Sequence, residues 1–253
     1  WGVTLRRRSG GNHQGWRLTL PSDGEPGSRP DQMDLPLDAG GPGQVPPEMA
    51  DVITALIRRS PLLTVATLHT QRSAHLLHTP DGSTVAELVD DVVSIMDGEV
   101  VAGRFRELRI TPLTEDARAV DPVIDLLMAH GAMPGASSTA ISALGPTAKA
   151  PPDVLPSFQV SPADPCGDAV HAHLLTHVRR FLLQDIRVRM DLPDSVHQMR
   201  VAARRLRSGL RVFSPLVDPA WSRHLRDELG WAASELGLSR DSEVLLARLD
   251  AHA

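Results

Sequence analysis

The 253-residue chain has no tyrosine, one cysteine and one lysine. The single cysteine, Cys166, excludes a disulfide framework and a cysteine-based zinc site. No run approaches eighteen apolar residues, which excludes a membrane-spanning helix. The opening Trp1-Gly2-Val3-Thr4 runs into Arg6-Arg7-Arg8 and does not resemble a secretory signal, so the cytoplasm is the expected compartment. A glycine-rich phosphate loop is also missing, because Gly40-Gly41-Pro42-Gly43 lacks the lysine and the helix that should follow. Aromatic residues are only 3% of the chain and none is interleaved with basic residues as a base-stacking surface requires, which argues against nucleic acid as a partner. What is present is ordinary for a globular protein: 42% hydrophobic, 23% charged and long enough for two domains.

The basic residues carry the first positive signal. Lys149 is the only lysine among 26 basic side chains, so 25 are arginine. Arginine presents a planar fork of donors that matches phosphate and carboxylate oxygens. A GC-rich genome produces the same bias, so composition alone leaves both explanations open. The chain starts inside an expected strand and ends soon after a helical pattern, and is expected to be a piece of a longer protein.

The spacing predicts a hairpin over residues 1–21, with Ser9-Gly10-Gly11-Asn12 as its turn. A loop-rich stretch follows, with one short strand near Met33–Leu37, and Pro47 opens a helix. Strands are expected over Leu62–His78, Thr84–Met96 and Arg104–Thr111, then a helix from Asp121 and a short one around Ser138–Leu144. Residues 145–165 hold six prolines and read as a linker or a strapped loop. Helices are predicted over 166–189, 194–213, 219–236 and 239–250, with Asp194 and Asp241 as N-cap candidates.

Val196 to Phe213 is the most informative segment. At 100° per residue, Val196, Met199, Ala203, Leu206, Leu210 and Phe213 form one apolar stripe. His197, Arg200, Arg204, Arg207 and Arg211 form a second stripe about 110° away, with no carboxylate among them. Like charges at this spacing repel unless a polyanion or neighbouring carboxylates neutralise them. Residues 176–211 carry nine arginines against three aspartates. A solvated arginine face and an anion site both fit this pattern. Arg226 and Arg240 can extend the same basic surface.

The run Val196-His197-Gln198-Met199-Arg200-Val201-Ala202-Ala203-Arg204-Arg205-Leu206-Arg207-Ser208 resembles the signature of the CHAD domain. The segments from Arg226 to Trp231 and from Leu236 to Leu245 follow it in the family's order. The resemblance covers residues 166–253. It implies an α-helical fold whose basic surface binds inorganic polyphosphate, carried here by His197, Arg200, Arg204, Arg205, Arg207 and Arg240. Arg205 lies off the basic stripe by helical geometry. The family's later helices are absent, so this domain is expected to be C-terminally incomplete.

Leu5 to Gly10, Gly15 to Pro21, Leu68 to Arg72 and Val85 to Val92 together resemble a CYTH domain, the triphosphate tunnel fold. That resemblance covers residues 1–145 and implies an antiparallel barrel that holds a triphosphate, with Arg6, Arg8 and Arg72 at substrate-binding positions. In the family, acidic side chains hold Mg²⁺ or Mn²⁺; here Glu107 is the surviving metal candidate. The family's first strand is absent. Thr19 replaces an expected lysine, Arg29 to Asp34 match only loosely, and Arg109 and Thr111 stand where acids belong. The closing serine-lysine pair reads Ser138-Thr139. One carboxylate is a poor site for a hard dication, and of Asp90 and Asp91 at most one can point inward. The tunnel is therefore read as basic and metal-poor, a degenerate domain rather than an efficient phosphohydrolase.

Elsewhere, His173 and His177 are spaced for one helix face, but no third ligand is obvious; His69 and His75 share a strand face far apart. Cys166 has no argued base. The expectation is an α+β chain: a partial antiparallel β-barrel of the tunnel type (1–148), a proline-rich link (149–165) and a partial all-α domain (166–253). The expected function is cytoplasmic binding of inorganic polyphosphate, at polyphosphate granules, with no cofactor required. The alternatives are a Mg²⁺- or Mn²⁺-dependent inorganic triphosphatase with the helical domain as its recruiting arm, and a non-enzymatic module that meets an acidic protein. The sequence assigns no oligomeric state.

Overall fold

The computed structural model describes residues 1–11, 14–21, 30–114, 116–135, 139–145 and 150–250; for 117, 139–141 and 239–250 it describes the backbone alone. The architecture is mixed α+β, with two three-stranded antiparallel sheets and a helical C-terminal region. The chain divides into two compact units, Trp1–Leu62 with Pro151–Ala253, and Leu63–Ala150. These units cut across the linear division read from the sequence.

The first unit opens with strands β1 (Thr4–Arg8), β2 (Gly15–Thr19) and β3 (Gln32–Leu35), paired in that order. Alternation along β2 turns Trp16 and Leu18 inward, with Leu5 opposite Leu18 and Arg7 opposite Trp16. Helices α1 (Pro47–Val52) and α2 (Thr54–Ile57) follow, and Met49, Val52 and Ile53 close on the sheet. The same core takes Ile186 from helix α5 (Cys166–Arg189), fully buried, with Leu183 and Met190 beside it. Burying one such side chain contributes about 2 kcal/mol.

The proline-rich segment acts as a strap on this unit. Asp153 accepts hydrogen bonds from Trp1 Nε1 and Arg58, Val154 O accepts from Arg179, and the Ser157 hydroxyl donates to Ala172 O. Of the two forms the sequence allowed, linker and strap, the described residues 150–165 take the second.

Helices α6 (Ser195–Val212) and α7 (Pro219–Asp250) complete the unit. Ala203, Leu206, Leu210 and Leu229 form their core, with Leu174, Val178 and Phe181 from α5 and Leu225 and Ala233 from α7. Val196, Met199, Ala203, Leu206 and Leu210 are buried, as the apolar stripe requires. Asp218 caps α7 by accepting from Trp221 N at 2.7 Å, ahead of Pro219. Two expectations need correction. Asp194 precedes α6 but sits at φ 59° and makes no capping bond; its carboxylate accepts from Gln198 Nε2 at 2.6 Å instead. A single α7 replaces the helices predicted over 219–236 and 239–250, so Asp241 has no helix start to cap. Gly237, which lies between the two predicted helices, keeps a helical backbone beside Arg200 of α6.

The second unit holds β4 (Thr67–His78), β5 (Thr84–Asp97) and β6 (Val100–Pro112), again paired in sequence order, followed by α3 (Asp121–Ala129) and α4 (Thr139–Leu144). Among the described residues the six strands form two separate sheets and no closed barrel. Between β3 and β4 the chain passes through α1 and α2, which cover the apolar face of the first sheet and part β3 from β4 in sequence.

Candidate functional site

The basic stripe of α6 faces α7 along an antiparallel seam. A Cβ placed on Gly230 would lie 3.4 Å from Arg207 Cζ, and one on Gly237 would lie 3.5 Å from Arg200 Cζ. Each guanidinium therefore rests on bare α7 backbone. Both pairs share one register, which sets Arg204 against Ala233 midway. Spacings of four and three along α6 meet three and four along α7, which the 3.6-residue helical repeat stacks on one face of each helix. His197, Arg200, Arg204 and Arg207 line one wall of a groove of about 570 Å³, and Gly230, Ala233, Ser234, Gly237 and Leu238 line the other.

The seam is held from both sides. The Ser222 hydroxyl donates to Leu210 O at 3.2 Å and fixes the start of α7 on α6. Arg180 of α5 donates to Gln198 Oε1 at 2.6 Å and fixes the start of α6. Arg200 is half-buried, while His197, Arg204, Arg207 and Arg211 are exposed.

Elsewhere the arginines pair with aspartates: Arg17 with Asp34, Arg58 with Asp153, Arg72 with Asp91, Arg106 with Asp90, Arg187 with Asp31 and Arg189 with Asp185. Among the described residues Arg200, Arg204, Arg207 and Arg211 form no ion pair. Four guanidinium groups at one- and two-turn spacing repel each other. An anion laid along the groove removes that repulsion and satisfies their donors.

Extended one turn, the seam's register sets position 226 opposite Arg211, and continued the other way it sets position 240 opposite His197. The Arg240 side chain lies outside the described residues, as do Arg29 and Ser138 and the side chain of Thr139. Arg205 faces away from the seam, in a groove between α5 and α6 with His173, His177, Ser208 and Phe213.

The tunnel candidates are placed differently. Arg6 and Arg8 share the exposed face of β1, and Arg7 turns inward over Trp16 and donates to Gly40 O. Arg72 lies on β4, in the other compact unit. Its guanidinium makes a two-bond fork to Asp91, both at 2.7 Å, and this bond raises its pKa. Glu107 of β6 stands directly opposite Asp91 across the sheet. Asp90 points to the other face and pairs with Arg106, the division of roles that strand alternation required.

These donors do not fit Mg²⁺ or Mn²⁺. A hard dication needs several free oxygens, and both Asp91 oxygens are committed to Arg72. Among the described residues no group of three or more His, Cys, Asp or Glu is placed to hold a metal. His173 and His177 meet edge to face, 4.6 Å between ring centroids, without a third ligand.

Residues 172–253 match the CHAD family. This stretch is a CHAD domain. Its match covers α5 from Ala172 onward, all of α6 and α7, and so the whole seam. It does not reach the N-terminal sheets, which are antiparallel as a tunnel-like fold would be. Two curated proteins of Mycobacterium tuberculosis, Uncharacterized protein MT2285 of strain CDC 1551 / Oshkosh and Uncharacterized protein Rv2226 of strain ATCC 25618 / H37Rv, are each 36% identical over 266 residues. The aligned region is 96% of this chain and 48% of each relative, so the chain spans about half their length. No solved structure matches it.

Spacing on α6 alone identified the basic wall of the CHAD groove but not the α7 wall. The signal was present in the sequence: Gly230, Ala233 and Gly237 repeat the spacing of Arg207, Arg204 and Arg200 in reverse. It becomes readable only once α7 is known to run antiparallel to α6.

Proposed function

We propose that this chain binds inorganic polyphosphate along the α6–α7 seam of its CHAD domain, with the N-terminal half a degenerate tunnel domain. One observation carries the reading: Arg200, Arg204 and Arg207 line a single groove, seated against small residues of α7 and unpaired with any described carboxylate. A flexible chain of phosphates offers charge at every repeat and no bases to stack. That suits a groove rich in guanidinium and poor in aromatic side chains. The family association with polyphosphate supports the same ligand class. His197 and Arg211 extend the row at its two ends, with Arg226 and Arg240 beside them, and the reading places the protein at polyphosphate in the cytoplasm.

The test is a polyphosphate titration of the whole chain at several salt concentrations. Binding that weakens steeply with salt is expected, because bound cations are released from the polyanion. Failure to bind at low salt overturns the proposal. A Gly230→Leu/Gly237→Leu variant probes the fit itself. Both substitutions favour the helix, while the new side chains displace the two guanidinium groups. The expected result is unchanged helicity and affinity reduced at least about tenfold, since a hydrogen bond to a charged group contributes about 1.5 kcal/mol. Undiminished affinity would remove the seam geometry from the mechanism.

A further inference from the structure

The opposite side of α6 meets α5 through two histidines. His173 lies so close to Gly209 that a Cβ there would be 2.7 Å from its Nε2. His177, one turn on, is buried at 7% exposure. Neither His173 Nε2 nor His177 Nδ1 reaches solvent, and neither has a hydrogen-bond partner among the described residues. A neutral imidazole tolerates this by leaving the enclosed nitrogen as a bare lone pair. A protonated one cannot, because both nitrogens then carry hydrogens and one N–H is buried without an acceptor.

The charges around this joint make protonation harder. His177 faces His173 and Arg180 on its own helix and Arg205 from α6, all of one sign when charged. The α7 side chains in the adjoining core are Leu225, Leu229 and Ala233, and the strap contributes Ser157 and Phe158 against this part of α5. None of these is acidic. Burial first, then His173, Arg205 and Arg180, lower the His177 pKa from its ordinary 6.5.

We propose that the α5–α6 joint is an acid-sensitive latch, closed while the buried His177 is neutral and opened when it takes up a proton. The latch acts on the helix that carries the arginine row, and it holds whatever anion that row binds. The sign follows from the proton count. The unfolded histidine protonates near 6.5 while the folded one resists, so the folded state binds fewer protons below that pH. Stability is complete above 6.5 and is lost as pH falls below it.

Two measurements on the whole chain test this. The first compares urea unfolding at pH 7.5 and 5.5 for the wild type and a His173→Leu/His177→Leu variant. The wild type is expected to lose more of its folding constant than the variant over that interval, by at most about tenfold for His177. Equal losses would overturn the latch. The second follows each histidine's ring proton by NMR in the wild type and serves if the variant does not fold. The His177 ring is expected to stay neutral below its ordinary value until the α5 and α6 amides lose protection from exchange. Titration of His177 near 6.5 in an intact fold would overturn it.

Discussion

Replacing Arg200, Arg204 and Arg207 together with alanine is expected to lower polyphosphate affinity about a thousandfold while the protein stays folded. The size follows from three charge-assisted contacts at about 1.5 kcal/mol each. Folding should survive because none of the three is an ion-pair partner among the described residues, and the substitutions remove like-charge repulsion and favour the helix. Thermal melting of the variant at or above the wild-type midpoint establishes this. A matched set of lysine substitutions separates charge from shape. Lysine keeps the positive charge but is not flat and cannot lie on Gly230 and Gly237 as a fork. It should restore part of the affinity and most of the salt dependence. Equal binding by wild type and alanine variant would move attention to Arg6 and Arg8 on β1. No polyphosphate binding by either, with salt-sensitive capture of an acidic protein, would favour the interaction-module reading.

Arg72→Ala is expected to destabilise the second compact unit by about 3 kcal/mol. Asp91 is 5% exposed and spends both oxygens on Arg72. Removing the guanidinium leaves a buried carboxylate without its counter-charge, and breaking such a pair costs more than the pair itself contributes. An Arg72→Met/Asp91→Leu variant should therefore recover most of the loss, since two apolar side chains fill the space without a stranded charge. Chemical denaturation of the three proteins measures this directly. A single variant as stable as the wild type would show that Arg72 is free for a phosphate ligand. The expected result makes Arg72 a structural residue of the sheet and removes one of the three arginines that the tunnel resemblance relied on.

Local periodicity determined much of the molecule. The β1–β2 hairpin, the apolar stripe of α6 and its arginine stripe are read correctly from residue spacing, because each depends on local geometry. The opposite faces of Asp90 and Asp91 follow in the same way. The family signature in α6 and α7 belongs to the same category, since it is a run of neighbouring residues. What the chain does between elements was decided by tertiary packing. The sheet of β1–β3 needed a cover for Trp16 and Leu18, and Ile186, more than 160 residues away, supplies part of it. Gly237 illustrates the same limit at one residue. Its sequence context suggests the end of a helix, yet it lies within α7 and packs against Arg200. The seam exists because α6 and α7 run antiparallel in one register, and a register between two helices is fixed by the side chains that meet, not by either helix alone.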